Sequence, residues 1–416
     1  MLYLLGVVVI ALGILVSVSL HEAGHMLTAK AFGMKVTRYF VGFGPTLWSF
    51  RRGETEYGVK GIPLGGFCKI VGMTPQDDDV DPADEPRAMW RFPVWKRTIV
   101  MASGSVIHFM LAVVGAWFAA VFVGLPNPAF PSTDAQFRQE PAVIALAPCV
   151  VEENADRACA ANDPASPAAL GQLHDGDRVT SFAGRPIDSY GELLTALRSA
   201  EPGSSVSVGY VRDGQPGTAQ VTLAQTRRPP LDDPDGPVGP VAALGVGLRV
   251  STPGTITYGP VDAFGATARF TGDMAVATGQ ALQRIPEKVP ALLSAIGGDK
   301  RDADTPISVV GASRLGGEAL QNGVWQMLVF LFISLNFFVG VFNLLPLLPV
   351  DGGHIAIAWF ERIRSWIYAK LNRPDPGRVD YLKLMPLTYA VILVGGAFTL
   401  LTITADVVNP ITLFSR

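Results

Sequence analysis

The chain has 416 residues, of which 49% are hydrophobic and 17% charged, and its formal net charge is −3 at pH 7. This composition indicates a membrane protein that also carries a water-soluble part, because 32 prolines and 44 glycines require much irregular structure. A slightly negative charge argues against a nucleic-acid partner. The length leaves room for a membrane core and at least one further domain.

The first segment, Leu2–Leu20, is continuously apolar and extends to about Ala31. It is long enough to cross a bilayer. No basic residue precedes it and no A-x-A site follows it, so we expect a membrane helix rather than a signal peptide. The basic residues just beyond it place this end in the cytoplasm and the N-terminus outside. They are Lys30, Lys35 and Arg38.

An H-E-x-x-H motif, His21 to His25, lies near the inner end of this segment. On a helix, positions i and i+4 share one face, so both imidazoles can bind one metal ion. Glu22 lies beside that face, where it can take a proton from a water molecule. Two histidines and a glutamate are costly to place in a membrane segment, so the motif predicts a catalytic metal site rather than a structural cluster.

The next stretch has the pattern of short β-strands separated by glycines. Lys35–Phe40 and Thr55–Val59 alternate in polarity, and Gly61–Phe67 ends the set. Two interpretations are open. A small sheet could enter the membrane beside the metal and pair with an extended substrate, or the stretch is an ordinary cytoplasmic hairpin. Asp77–Glu85 is predicted to be a solvated acidic loop.

A second span is predicted over Val94–Leu125, and a soluble region follows as far as about Thr257. Cys149 and Cys159 lie in this region, outside the membrane, where we predict a disulfide. Cys68 should be a free cytoplasmic thiol. The predicted elements of this region are strands at Arg178–Phe182, Val206–Val211 and Ala219–Leu223 and a helix at Tyr190–Arg198.

The last third of the chain holds two more predicted spans, Gly323–Leu345 and Leu387–Val408, joined by a basic and therefore cytoplasmic loop. Before them, Gly259–Gly298 is amphipathic, and Pro286 and Pro290 should interrupt it. It either lies on the outer membrane surface or braces the core. Four spans place both termini outside.

Three motifs in this order resemble the site-2 proteases, zinc metalloproteases that cut helices inside the membrane. They are His21–His25, Gly65-Gly66-Phe67, and Asn343-Leu344-Leu345-Pro346 followed by Asp351-Gly352-Gly353. The resemblance covers nearly the whole chain and is greatest to the bacterial branch with periplasmic PDZ modules, of actinobacterial type. Gly171–Asp177 and the strand after it resemble the entry to a PDZ core, and Pro306–Gly311 resembles the P-I-G-I-A stretch before the third span.

The resemblance implies that His21, His25 and Asp351 ligate Zn²⁺ and that Glu22 is the general base. It also implies that Asn343 and Gly65-Gly66-Phe67 contact the substrate. The substrate would be a membrane-spanning protein, favoured as an anti-sigma factor already trimmed on its outer side. Two alternatives stay open: a housekeeping protease that clears remnant signal peptides, and a membrane-tethered PDZ scaffold with a structural metal.

His108, in the second span, departs from the family, whose members often have G-P-x-x-N where this chain has Gly104-Ser105-Val106-Ile107-His108. Three interpretations compete. His108 is a fourth metal ligand, which would close the position that water needs, or a core histidine bonded to a neighbouring carbonyl. The third, which we favour, is that it hydrogen-bonds the extended substrate, since imidazole and amide each offer a donor and an acceptor.

The expected fold is an α-helical polytopic protein of the bacterial cytoplasmic membrane, with about four transmembrane helices, a small membrane-associated β-sheet and an extracytoplasmic α+β PDZ-like domain. The active site should lie towards the cytoplasmic side. The expected segments are the first transmembrane helix 1–32, β region and acidic loop 33–92, second transmembrane helix 93–125, PDZ-like domain 126–258, amphipathic connection 259–321, third transmembrane helix 322–353, cytoplasmic loop 354–386 and fourth transmembrane helix 387–409.

Overall fold

The computed structural model describes residues 1–73, 80–151, 159–160, 163–233 and 236–413. The helices in this part of the chain are α1 Leu2–Ala31, α2 Val94–Phe122, α3 Asp134–Gln139, α4 Pro167–Leu170, α5 Tyr190–Ser199, α6 Asp262–Gly297, α7 Val309–Gln321, α8 Gln326–Asn343, α9 Asp351–Lys370 and α10 Tyr381–Val408. The strands are β1 Val36–Arg52, β2 Thr55–Ile70, β3 Leu125–Pro126, β4 Ile144–Leu146, β5 Arg178–Phe182, β6 Arg185–Pro186, β7 Ser205–Arg212, β8 Gln215–Thr222, β9 Ala224–Arg228, β10 Gly239–Ala243, β11 Val246–Leu248 and β12 Thr255–Ile256. The chain divides into two compact units, a first made of Met1–Leu125 with the chain from Thr257 onward, and a second made of Pro126–Ile256.

Four helices of the first unit are long and apolar enough to cross a membrane. They are α1 with 30 residues, α2 with 29, α8 with 18 and α10 with 28. About 20 apolar residues in a helix span the hydrocarbon core of a bilayer. Large apolar side chains such as Leu4 and Leu12 on α1 and Leu393 on α10 are exposed, which suits contact with lipid. The protein is therefore a multi-pass membrane protein, as the sequence predicted.

The first two membrane helices approach each other at glycines. A Cβ atom added to Gly24 of α1 would lie 2.9 Å from the Ser103 carbonyl oxygen on α2. One added to Gly104 of α2 would lie 2.6 Å from His25 Nε2. Small residues let helix backbones approach closely in a membrane. Further along α2, a cluster of alanines packs against Ile333 of α8, so that α2 contacts both α1 and α8.

Strands β1 and β2 form an antiparallel hairpin that folds back on itself. Tyr39 lies opposite Cys68 on one side and opposite Tyr57 on the other. Positive φ angles at Gly42 and Gly65 allow both strands to bend. The hairpin thus becomes a small sheet whose segments run in the order 66–70, 36–41, 55–59 and 48–52. The segment 66–70 is an edge of this sheet, since no other strand of the described residues pairs with it.

The second unit contains a four-stranded antiparallel sheet in the order β6-β5-β7-β8. Phe182 of β5, Leu193 of α5 and Leu223 after β8 are buried in its core. Strand β5 has the predicted bounds, and the other predicted elements differ by a few residues. Cys149 and Cys159 form a disulfide with their Cα atoms 6.0 Å apart, and Cys68 in the first unit is free.

One expectation about helices is wrong. Pro286 and Pro290 lie inside α6, which is one continuous helix of 36 residues. An internal proline costs a helix one hydrogen bond and about 3 kcal/mol, which the remaining turns of so long a helix outweigh. The connection 354–386, expected between the third and fourth spans, contains most of α9, which is not one of the candidate spans. The sequence reasoning did not predict α7. Of the predicted acidic loop, residues 77–79 lie outside the described residues, while Asp84 is not simply solvated but forms a 2.5 Å salt bridge with Lys35.

Candidate metal centre

The side chains of His21, His25 and Asp351 converge at one point of the first unit. His21 and His25 are one turn apart on α1, and Asp351 is the first residue of α9. The two Nε2 atoms lie 3.1 Å apart, and Asp351 Oδ2 lies 3.3 Å from the first and 3.4 Å from the second. Both histidines are buried. In the part of the chain that the structure describes, this is the one cluster of histidine, cysteine and acidic residues with such spacing.

These separations fit a tetrahedral zinc ion. Zinc binds imidazole nitrogen and carboxylate oxygen at about 2.0–2.2 Å, so the edges of its tetrahedron are about 3.3–3.5 Å long. The three observed distances, 3.1, 3.3 and 3.4 Å, are close to those edges. Three protein ligands leave the fourth corner for water or substrate, which is the arrangement of a catalytic zinc site.

The position of the ring hydrogen on His25 also fits a metal ligand. Its Nδ1 donates a hydrogen bond to the Val100 carbonyl oxygen on α2 at 2.7 Å. The neutral ring therefore carries its lone pair on Nε2, which faces His21 Nε2 and the Asp351 carboxylate. The His25 Nε2 lone pair and the Asp351 carboxylate, 3.4 Å apart, repel one another unless a cation or a proton lies between them. A donor set of two imidazoles and one carboxylate suits zinc.

Asp351 reaches this point because the chain between α8 and α9 packs closely on the start of α9. A Cβ atom added to Gly353 would lie 2.6 Å from the Leu347 carbonyl group, and one added to Gly352 would overlap the carbonyl group of Leu345. Only glycine leaves room for this loop. The D-G-G sequence therefore places the Asp351 carboxylate by allowing a backbone contact that any side chain would prevent.

Glu22 lies next to the histidines and beside the edge of the sheet. Its Cγ would lie 3.5 Å from a Cβ atom added to Gly66, and its carboxylate faces the backbone N–H of Cys68. Burial and the nearby Glu22 charge raise the pKa of Cys68 to about 12. Cys68 thus stays a neutral thiol, which is a poor metal ligand. The sequence placed Gly65-Gly66-Phe67 near the site, and the structure brings Gly66 of that set against the catalytic candidate Glu22.

The remaining residues predicted to contact the substrate are Phe67, Asn343 and His108. Phe67 stacks between Phe40 and Phe43, with ring centroids 5.6 Å and 6.2 Å away. Asn343 is the half-buried last residue of α8. His108 is buried on α2, with its ring centroid 5.1 Å from that of His21.

Sequence reasoning missed two contributors, the Val100 carbonyl and Asn336. Asn336 Oδ1 accepts a hydrogen bond from His108 Nδ1 at 2.9 Å. The sequence gives no sign of which backbone carbonyl will accept a hydrogen bond. Asn336 could have been found, since an amide side chain in the middle of an apolar span is itself a sign of function.

A membrane-spanning H-E-x-x-H helix whose two imidazoles meet a carboxylate from another helix defines a membrane-embedded metalloprotease. Comparison with known proteins agrees: the model of Peptidase family M50 matches residues 9–372. Zinc metalloprotease Rip1 of Mycobacterium bovis (strain BCG / Pasteur 1173P2) is 44% identical over 414 residues, with 100% of both chains covered. Zinc metalloprotease Rip1 of Mycolicibacterium smegmatis (strain ATCC 700084 / mc(2)155) is 43% identical over 418 residues, again with 100% of both chains covered.

The chain belongs to peptidase family M50, and it is a zinc-dependent protease. The scaffold alternative raised from the sequence is therefore set aside.

Proposed function

We propose that His21, His25 and Asp351 hold the catalytic zinc and that Glu22 is the general base of peptide hydrolysis. Zinc at this position would polarise the scissile carbonyl and make an adjacent water molecule acidic near neutral pH. Glu22 then accepts the proton from the attacking water and returns it to the leaving amine. The observation that carries this assignment is the triangle of facing ligand atoms with edges of 3.1, 3.3 and 3.4 Å.

The edge segment 66–70 offers a way to hold the substrate. A peptide bond inside a helix is protected by its own hydrogen bonds, so a transmembrane substrate has to unwind before it is cut. An open strand edge supplies backbone donors and acceptors for an extended chain. Because Gly66 lies against Glu22, a peptide paired with this edge would run past the general base. We propose substrate contacts for Gly65, Gly66 and Phe67, and a further contact for Asn343 at the end of α8.

The proposed substrate is a single-span membrane protein that has already lost its outer domain, such as an anti-sigma factor. The basic residues around α1 and α2 support a cytoplasmic position for the H-E-x-x-H end, with both termini and Pro126–Ile256 outside. The second unit contains the strands and the helix that the sequence predicted, which supports the proposal that it is a PDZ-like domain. We propose that it excludes substrates whose outer domains are intact.

The test uses the full chain in liposomes with single-span reporter proteins, with and without a folded outer domain. The parent should cut only the trimmed reporter, within its membrane segment. Deleting Ala142–Thr226 should leave that cleavage intact and allow the untrimmed reporter to be cut. If the deletion variant still requires trimming, the exclusion role is wrong, although the assignment of the metal site stands.

Substrate identity is tested in cells by trapping. Glu22→Gln protein should retain uncut substrates, and their sequences distinguish two outcomes. Trimmed anti-sigma factors would support regulated cleavage, whereas mainly remnant signal peptides would show housekeeping cleavage instead.

A further inference from the structure

The two histidines of the H-E-x-x-H motif are held differently. His25 donates its Nδ1 hydrogen to the Val100 carbonyl oxygen at 2.7 Å. His21 Nδ1 is buried and, among the described residues, has no hydrogen-bond partner. A histidine that binds a metal almost always donates its second ring N–H to a carboxylate, a backbone carbonyl or water, which fixes the ring and makes it a stronger ligand. His21 therefore requires an acceptor that His25 already has.

The space around His21 Nδ1 is formed by α2. A Cβ atom added to Gly104 would lie 2.6 Å from this nitrogen, so the ring edge faces the helix at that turn. His108 is one turn further along the same helix, and its ring centroid lies 5.1 Å from that of His21. Two imidazoles joined end to end by an N–H···N bond of about 2.9 Å have centroids roughly 5 Å apart. The observed separation matches such a bond, and forming it requires the two rings, tilted by 44° to each other, to turn until His21 Nδ1 faces a nitrogen of His108.

Asn336 determines which nitrogen of His108 can accept. Its Nδ2 donates to the Phe332 carbonyl oxygen at 2.9 Å, so its Oδ1 is the atom that faces His108. Oδ1 is only an acceptor, and the 2.9 Å contact therefore requires a hydrogen on His108 Nδ1. The neutral ring then has its lone pair on Nε2. His108 is an acceptor held in one tautomer by a residue of another helix, α8.

We propose that His108 is the positioning residue of His21: its Nε2 accepts the hydrogen bond from His21 Nδ1, and Asn336 holds it in that state. The chain of bonds then runs from the Phe332 carbonyl through Asn336 and His108 to His21. It directs the His21 Nε2 lone pair towards the zinc, as Val100 does for His25. This role rests on the proposed zinc ligands and replaces direct substrate contact as the function of His108.

The test is the zinc dissociation constant of the full chain, measured by competition with a chromogenic chelator at fixed pH. His108→Leu should weaken zinc binding by about 10–100-fold, the usual effect of losing such a partner. His108→Gln should bind within a few-fold of the parent, because the Gln oxygen reaches about as far as Nε2. Asn336→Leu should weaken binding when His108 is present and have no further effect in His108→Leu. Ser105→Ala, which removes a different buried polar group of α2, is the matched control and should bind like the parent.

Parent-like zinc affinity in folded His108→Leu would overturn the proposal, whether or not the variant cuts substrate. Independent, additive losses in the double variant would also overturn it. If His108→Leu does not fold, Asn336→Leu decides the matter, since parent-like affinity there means that nothing acts through His108. His21→Ala separates this inference from the ligand assignment: undiminished zinc binding in that variant would refute the assignment itself.

Discussion

Replacing Gly104 by alanine is a sharp test of how the metal centre is built. This glycine of α2 is the point at which that helix approaches both imidazoles. A Cβ atom there would lie 2.4 Å from His21 Cε1 and 2.6 Å from His25 Nε2. Ordinary van der Waals contact begins at 3.4 Å, so the His21 ring has to withdraw by about 1.0 Å and the His25 ring by about 0.8 Å. Zinc sites accept ligand displacements of about 0.2 Å.

We therefore expect Gly104→Ala to weaken zinc binding by at least about a hundredfold, more than the loss of an outer hydrogen-bond partner does. Cleavage should fall to the same extent. The fold should survive, because alanine favours a helix over glycine by about 1 kcal/mol.

The assay is chelator competition for zinc together with thermal unfolding in detergent. Gly115→Ala is the matched control on the same helix, where the added Cβ would contact only the Ile333 side chain, at 3.0 Å for the nearest atom. The control should bind zinc like the parent. If Gly104→Ala binds zinc with parent affinity, the close approach of α2 to the two rings is wrong.

Two further predictions concern the second unit. Asp177 is buried and accepts two hydrogen bonds from Arg212, at 2.7 Å and 2.8 Å, and one from the His174 N–H. Burial raises the pKa of Asp177, but the bonds from Arg212 and His174 outweigh it and leave the pKa below its ordinary value. Asp177→Asn should destabilise this unit by about 1–3 kcal/mol near neutral pH. In urea unfolding the difference from the parent should shrink as the pH falls from about 4, where the unfolded carboxylate takes up a proton, towards the lower pKa of the folded one; a pH-independent difference would contradict the ion pair. Cys149→Ser should lower the free energy of unfolding of this unit by about 2–3 kcal/mol, since the disulfide closes a short loop. Reduction of the parent should have the same effect. Peptide mapping that finds both thiols free in cell membranes would refute the pairing.

The membrane architecture followed from sequence because its signal is local. An apolar run such as Leu2–Ala31 has few structural solutions in a bilayer, and i, i+4 histidines share a face wherever a helix forms. The same reasoning failed for α6. Pro286 and Pro290 each remove a local hydrogen bond, but the helix of 36 residues continues through both positions.

The details of the site depend on contacts that are distant in sequence. His108 and Asn336 are 228 positions apart, and His25 bonds a backbone carbonyl 75 positions away. No pattern within either segment specifies its partner. Asp351 was assigned from resemblance alone, because the backbone contact that places it depends on how the chain from Leu344 to Leu348 folds onto Gly352 and Gly353.

The central claim is that zinc held by His21, His25 and Asp351 works with Glu22 as the base. The most direct measurement compares purified parent and Glu22→Gln proteins for zinc content and for cleavage of a trimmed single-span reporter. Both should contain about one zinc per chain, and only the parent should cut, because glutamine keeps the shape of the side chain but cannot accept the proton. Cleavage by Glu22→Gln at a rate near that of the parent would contradict the account.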